Sequence, residues 1–121
     1  MRLVICDDDP VLREVVATLA DHRGYEIAAR TDNALDAIEA VRQGADVVIL
    51  DLALPLMSGL DAIPRMLAVR PECRVLVLSA HDDQLKAALA AGAFAAFDKT
   101  NLLELDAVLQ QCESAGPVPQ A

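Results

Sequence analysis

Four groups of residues in this sequence stand where they could share one reaction. Asp7, Asp8 and Asp9 follow the apolar run Leu3-Val4-Ile5-Cys6, and Asp51 follows Val47-Val48-Ile49-Leu50. Ser79 follows Val75-Leu76-Val77-Leu78, and Lys99 stands with Asp98 at the end of Phe94–Phe97. Carboxylates gathered in one cleft repel each other, a cost that is tolerable if a divalent cation sits among them. Magnesium takes only oxygen ligands, binds through one or two carboxylates and shares the oxygens of a phosphate. One carboxylate could then act as a nucleophile toward phosphorus and become an aspartyl phosphate. A serine hydroxyl and a lysine ammonium would offer the new phosphoryl oxygens a hydrogen bond and a positive charge. Each residue alone has a plainer explanation. Asp-Asp-Asp-Pro can cap a helix and complement its dipole. Asp51 can open a loop, Ser79 can sit in a turn, and Lys99 can be a solvated lysine. It is their arrival, in order, at four separate strand ends that points to chemistry.

The elements that must position these residues alternate along the chain. Leu3–Cys6 reads as a first strand. Pro10 suits the first turn of a helix whose apolar residues Leu12, Val15, Val16 and Leu19 fall three and four apart, ending near Arg23-Gly24. Tyr25–Ala29 predicts a second strand. Asp32 or Asn33 then caps a helix with Leu35, Ile38 and Val41 as its apolar face, stopped by Gly44. Val47–Leu50 is continuous and rich in β-branched residues, as expected of a strand covered on both faces in a parallel sheet. A third helix is expected over Leu60–Val69, with Pro64 in its first turns and Pro71 closing it. Val75–Leu78 is a fourth strand, and Asp82 or Asp83 opens a helix running through Ala91. Phe94–Phe97 is a fifth strand. Thr100 or Asn101 caps a last helix that turns Leu103, Leu105, Val108 and Leu109 to the core. Five such units imply an α/β fold, a parallel sheet with helices on both faces and right-handed crossovers. In sheets of this kind ligands bind beyond the carboxyl ends of the strands, where the acids, the serine and the lysine fall. The domain is expected over residues 1–114, with 115–121 as a tail or the start of an interdomain linker.

Composition narrows the class further. With 121 residues, 55% of them hydrophobic, the chain fits one folded domain and is not intrinsically disordered. The mean hydropathy of +0.34 reflects buried strands and abundant alanine. The longest uncharged stretch inside the fold, Ala87–Phe97, falls well short of the roughly 20 residues of a membrane helix. The N-terminus runs straight into acids and lacks the apolar region of a signal peptide, so a cytoplasmic location without membrane contact is expected. Ten basic against 19 acidic residues give a net charge of −9. Such a surface lacks phosphate-neutralising charge, so no direct nucleic-acid contact is expected. Cys6, Cys73 and Cys112 show no metal or disulfide spacing. The turn after the first strand lacks glycines, which excludes a dinucleotide cradle and a P-loop.

The segments Val4-Ile5-Cys6-Asp7-Asp8-Asp9-Pro10, Asp51-Leu52-Ala53-Leu54-Pro55-Leu56-Met57-Ser58-Gly59, Leu78-Ser79-Ala80 and Lys99 together resemble the receiver domain of two-component response regulators. The resemblance runs to about Ser114, and the stretch after Asp51 is its most specific part. It implies a flavodoxin-like, doubly wound sheet of order 2-1-3-4-5 with five helices. It implies that Asp51 accepts a phosphoryl group from a sensor histidine kinase. Asp8 would ligate Mg²⁺ directly, Asp7 would assist through water, and Asp51 and the backbone carbonyl of Ala53 would complete the protein's ligands. Arg13 lies five residues past Asp8, where the family often carries an arginine, which favours Asp7 and Asp8 over Asp9. Ser79 would be the switch hydroxyl and Lys99 the phosphate-pairing lysine.

Phosphorylation would bias a face formed by the fourth helix, fifth strand and fifth helix. That face would meet a second copy of the chain, forming a homodimer, or a DNA-binding output domain not contained in this sequence. The domain itself is not expected to be an enzyme. A phosphohydrolase working through an aspartyl phosphate usually carries a second acid where this chain has Ala53. Two departures from the family stand out. Thr100 replaces the proline that often follows the lysine, which is similar to the NarL/LuxR subgroup. Ala96 occupies the usual aromatic position, and alternation points Phe97 to the opposite face. A receiver-like interaction module that works without phosphorylation is the alternative. His81 and Ala53, two residues past Ser79 and Asp51, would flank the phosphoryl site and tune its lifetime.

Overall fold

Strand side chains alternate between two faces, and this chain has apolar residues for both. The computed structural model describes residues 1–115, with side chains to Glu113. Its elements run β1 (Arg2–Cys6), α1 (Pro10–His22), β2 (Glu26–Thr31), α2 (Ala34–Arg42), β3 (Val47–Asp51), α3 (Gly59–Val69), β4 (Arg74–Ser79), α4 (Asp83–Ala90), β5 (Ala95–Asp98) and α5 (Leu102–Ala115). All five strands are parallel, in the order β2-β1-β3-β4-β5. On one face Val4, Cys6, Val48, Leu50, Val75 and Val77 pack against α2, α3 and α4. On the other, Leu3, Ile5, Val47, Ile49, Leu76, Leu78 and Phe97 pack against α1 and α5. Among the described residues no helix is long and apolar enough to cross a membrane. The expected tail lies outside the described residues from position 116, and α5 reaches Ala115.

Helix faces depart in part from the expected stripes, and in α1 and α2 buried alanines are the reason. α2 buries Ala34, Ala37 and Val41 and leaves Leu35 half exposed. α1 buries Val16, Ala17 and Ala20, with Val15 exposed. In α5 the core residues are Leu105, Leu109 and Cys112, whereas Leu103 is 86% exposed, contrary to expectation. A stripe of small residues lets a helix lie close on the sheet, and the larger neighbours one position away turn to water. Strand limits also shift. β2 begins after Tyr25, which is buried and donates its hydroxyl to the Leu109 carbonyl at 2.7 Å. Phe94 precedes β5 and lies half exposed under the Arg74 guanidinium. Pro64 sits in the second turn of α3, as expected, and it removes one rung of the helix ladder.

Caps resolve the open choices. Asp9 caps α1 by accepting from the Val11 and Leu12 amides. Asn33, not Asp32, caps α2 through the Asp36 amide. Asn101 accepts from the Glu104 amide at the start of α5, and its side-chain amide donates back to the Glu104 carboxylate. Asp82 precedes α4 without a side-chain cap bond.

Gly59 opens α3 against the end of β3. Its amide donates to the Leu52 carbonyl at 2.9 Å. A Cβ there would lie 2.6 Å from both the Asp51 carbonyl oxygen and the Leu52 Cα. These are backbone atoms and cannot swing aside. Gly59→Ala is therefore expected to destabilise the domain by about 1–3 kcal/mol through overpacking. Thermal unfolding checks this, and an unchanged midpoint would contradict the close approach.

Candidate functional site

The site forms where β1, β3, β4 and β5 end on the same edge of the sheet. β1 delivers Asp7 and Asp8, and β3 ends in Asp51 itself. The three carboxylates offer oxygens that all lie within 4.8 Å of one another. Asp7 and Asp51 are each only 3% exposed, while Asp8 is open to solvent. Lys99, just past β5, donates from Nζ to Asp51 Oδ2 at 2.9 Å and lies 3.7 Å from Asp7 Oδ2. The other Asp51 oxygen accepts the Ala53 amide at 3.2 Å. Asp7 is fixed on several sides. Its Oδ1 accepts the Asp9 amide at 2.9 Å, its own amide donates to the Thr31 carbonyl, and Arg13 donates to its carbonyl at 3.0 Å. Asp9 spends its side chain on the α1 cap, which keeps it out of the acid group.

Three carboxylates against one ammonium leave an excess of negative charge in a largely buried pit. Burial pushes Asp7 above the usual carboxylate range, and the charges on Asp51 and Asp8 add to this against the Asp9 amide and Lys99. Burial works against the Lys99 charge, but the hydrogen bond and charge of Asp51, with Asp7 and Asp8, outweigh it and raise the lysine. Burial likewise pushes the neighbouring Cys6 thiol up to about 11, so it stays protonated. A trio of oxygen donors with surplus negative charge suits a hard divalent cation.

Ser79 is 2% exposed at the end of β4, and its hydroxyl is engaged within its own loop. Oγ accepts the His81 amide at 3.0 Å and lies 3.2 Å from both the His81 carbonyl and Gln84 Oε1. The Lys99 amide donates to the Ser79 carbonyl, which ties the two strand ends together. His81 is exposed and meets Ser79 through its backbone. Ala53 lies exposed at the rim. Ala96 faces the α2–α4 core, opposite Val77, and Phe97 is buried against α1 and α5, as alternation requires. Thr31, at the end of β2 and expected to lie off to the side, holds Asp7 through its carbonyl, and sequence reasoning missed Gln84, because it carries no motif and only the folded loop brings it in. It also missed Leu56, which sits at φ +72° inside a tight turn closed by Met57 N–H to Pro55 O. That is a strained conformation for a leucine, in the loop between Asp51 and Gly59.

A 2-1-3-4-5 parallel sheet with acids, a serine and a lysine at its carboxyl edge defines a receiver-type domain. The family described as response regulator receiver domain matches residues 3–110, and this chain belongs to it. The chemotaxis protein CheY of Thermotoga maritima is 32% identical over 84 residues, covering 69% of this chain and 70% of CheY. The virulence transcription regulator BvgA of Bordetella pertussis is 35% identical over 85 residues, covering 69% of this chain. The chain spans only 41% of BvgA. Among solved structures, the signal receiver domain of the response regulator NarL from Mycobacterium tuberculosis superposes with a TM-score of 0.84 at 28% identity. That match covers 93% of this chain and 95% of the NarL domain.

The raised Asp7 carries a stability prediction. Its folded-state affinity for a proton exceeds the unfolded one, so stability falls as pH rises from about the ordinary value of 3.8 through the folded value. Asp7→Asn removes that loss. Without divalent cations the variant is expected to be more stable than the parent at pH 7, with the gain shrinking toward pH 4. Urea unfolding at the two pH values checks this, and a less stable variant at pH 7 would refute it.

Proposed function

We propose that this receiver domain is a phosphoacceptor in which Asp51 takes a phosphoryl group from a sensor histidine kinase with the help of Mg²⁺. The observation that carries this reading is the setting of Asp51. It is buried, bonded to the Lys99 ammonium, and beside two further carboxylates. Asp8, Asp51 and the Ala53 carbonyl would hold Mg²⁺, with Asp7 assisting. When bound, the ion supplies charge neutralisation that lets an anionic phosphodonor approach anionic Asp51.

In the transfer, an Asp51 carboxylate oxygen attacks phosphorus as the bond to the donor's imidazole nitrogen breaks. The imidazole leaves with the bonding pair. Lys99 then shifts its ammonium from the carboxylate to the phosphoryl oxygens. Ser79 gives its hydroxyl to the same group. The chain acts as the acceptor and is not a turnover catalyst. The added charge biases the face made by α4, β5 and α5. That face would serve a homodimer or a DNA-binding output domain. BvgA and the NtrC of Azospirillum brasilense are named as transcription regulators, and this chain spans 41% and 25% of them, which supports a separate output domain. Thr100 after the lysine and the likeness to the NarL receiver favour an output of the NarL/LuxR kind. A cytoplasmic location and no direct DNA contact by this acidic domain go with the reading.

Intact mass after incubation with acetyl phosphate tests it. A gain of one phosphoryl group is expected that requires Mg²⁺ and disappears in Asp51→Asn. Mg²⁺ binding is read separately from thermal unfolding, since ligand at a hundred times its Kd stabilises by about 2.7 kcal/mol. Binding without phosphoryl gain would overturn the acceptor role and favour an interaction module independent of phosphorylation. His81 and Ala53 flank the phosphoryl group in this reading, with His81 orienting the attacking water. His81→Ala is expected to lengthen the phosphoryl lifetime several-fold, and an unchanged lifetime would remove that role.

A further inference from the structure

We infer that Gln84 is a positioning residue: from the first turn of α4 it holds the Ser79 hydroxyl in the β4–α4 loop, so that phosphorylation is felt by α4 when that hydroxyl leaves. The inference rests on the phosphoacceptor reading and adds a residue to it. A serine hydroxyl has one proton and two lone pairs. In Ser79 the His81 amide takes one lone pair at 3.0 Å. The single proton faces two acceptors, the His81 carbonyl and Gln84 Oε1, both at 3.2 Å. That is long for a hydroxyl bond, as expected when one proton is shared between two oxygens. Every partner of this hydroxyl lies in its own loop or in α4.

Gln84 is bound to the loop twice, because its backbone amide also donates to the His81 carbonyl at 3.0 Å. α4 has only eight residues, and Asp82 gives it no side-chain cap bond. The Gln84–Ser79–His81 contacts are therefore a main tie of its first turn. β5 offers no alternative through an aromatic side chain, since Ala96 carries only a methyl group on this face. When the Ser79 hydroxyl turns toward a phosphoryl group on Asp51, it must give up Gln84. The side-chain tie of α4 breaks at that moment. The fraction of molecules with the hydroxyl already free sets the apparent readiness for phosphorylation.

The test is the rate of phosphorylation by acetyl phosphate with Mg²⁺ in a double-variant cycle. Gln84→Leu is expected to raise the rate about two- to three-fold, the low end of a neutral hydrogen bond's worth, because the His81 carbonyl still accepts the shared proton. In a Ser79→Ala background the same change is expected to do nothing. An equal effect in both backgrounds would show a merely structural role, and no effect in either would overturn the inference. Gln84→Met, of similar length, serves if the leucine variant misfolds. The amide resonance of His81 gives a second readout without phosphoryl transfer. It is expected to move in Gln84→Leu and to be insensitive to that change once Ser79 is alanine. If the parent chain takes up no phosphoryl group, the acceptor reading falls first. If it does and the Gln84 variants match it by both readouts, only this inference falls.

Discussion

The contact on which this structure turns is the bond from Lys99 Nζ to Asp51 Oδ2 at 2.9 Å. A charged side chain as buried as Asp51 needs a partner. Asp7 and Asp8 beside it make matters worse, and one ammonium cannot balance three acids. The pair comes from residues 48 positions apart in the chain. It exists because β3 and β5 end on the same edge of the sheet with β4 between them. The hydrophobic core has its functional consequence here: it sets five strands in register so that the charged groups meet past their ends. The imbalance that remains suits a cation.

Backbone groups do the finer positioning. Asp7 is held by the Asp9 amide and by the Arg13 guanidinium on its carbonyl, and Asp51 by the Ala53 amide. These bonds need the chain to turn sharply right after β1 and β3. The turn after β3 carries a leucine at positive φ and ends where Gly59 touches the Asp51 backbone. Strain of this kind persists only where surrounding packing enforces it. Leu52, Ala62 and Ile63, all buried in one core, supply that packing beneath the loop.

Much of this was legible in the sequence because the sheet imposes a simple code. Runs of four apolar residues ending in an acid, a serine or a lysine identify buried parallel strands and the edge they share. Strand order is implied by the family resemblance alone, and nothing in the periodicity contains it. The helix faces were harder. Leu35 and Leu103 were expected inside, yet both face water, while Ala34, Ala37 and Cys112 are buried beside the expected Val41, Leu105 and Leu109. In the alanine-rich α2 several stripes look equally apolar, and close approach to the sheet selects the one with the smallest side chains. Asp7 and Asp8 could be told from Asp9 only through a family habit concerning Arg13. The structure supplies the physical reason, which is that Asp9 is occupied as a cap.

What was not legible is the state of Ser79. Its place at a strand end was plain, but the direction of its hydroxyl depends on a loop of three residues and on a glutamine in the first turn of α4. That direction matters more here than in a receiver with an aromatic side chain at the position of Ala96. A large ring on β5 could register a moving hydroxyl through packing, and a methyl group cannot. In the proposed phosphoacceptor, the side-chain link from Ser79 then runs through the hydrogen bonds that join it to His81 and Gln84, beside the backbone bond from Lys99 to its carbonyl. The coupling path is then short and polar, and it ends on α4, an element with a single fully buried side chain, Ala88. A helix so lightly anchored costs little to shift, so a change of one or two hydrogen bonds at its first turn is of the right size to move it.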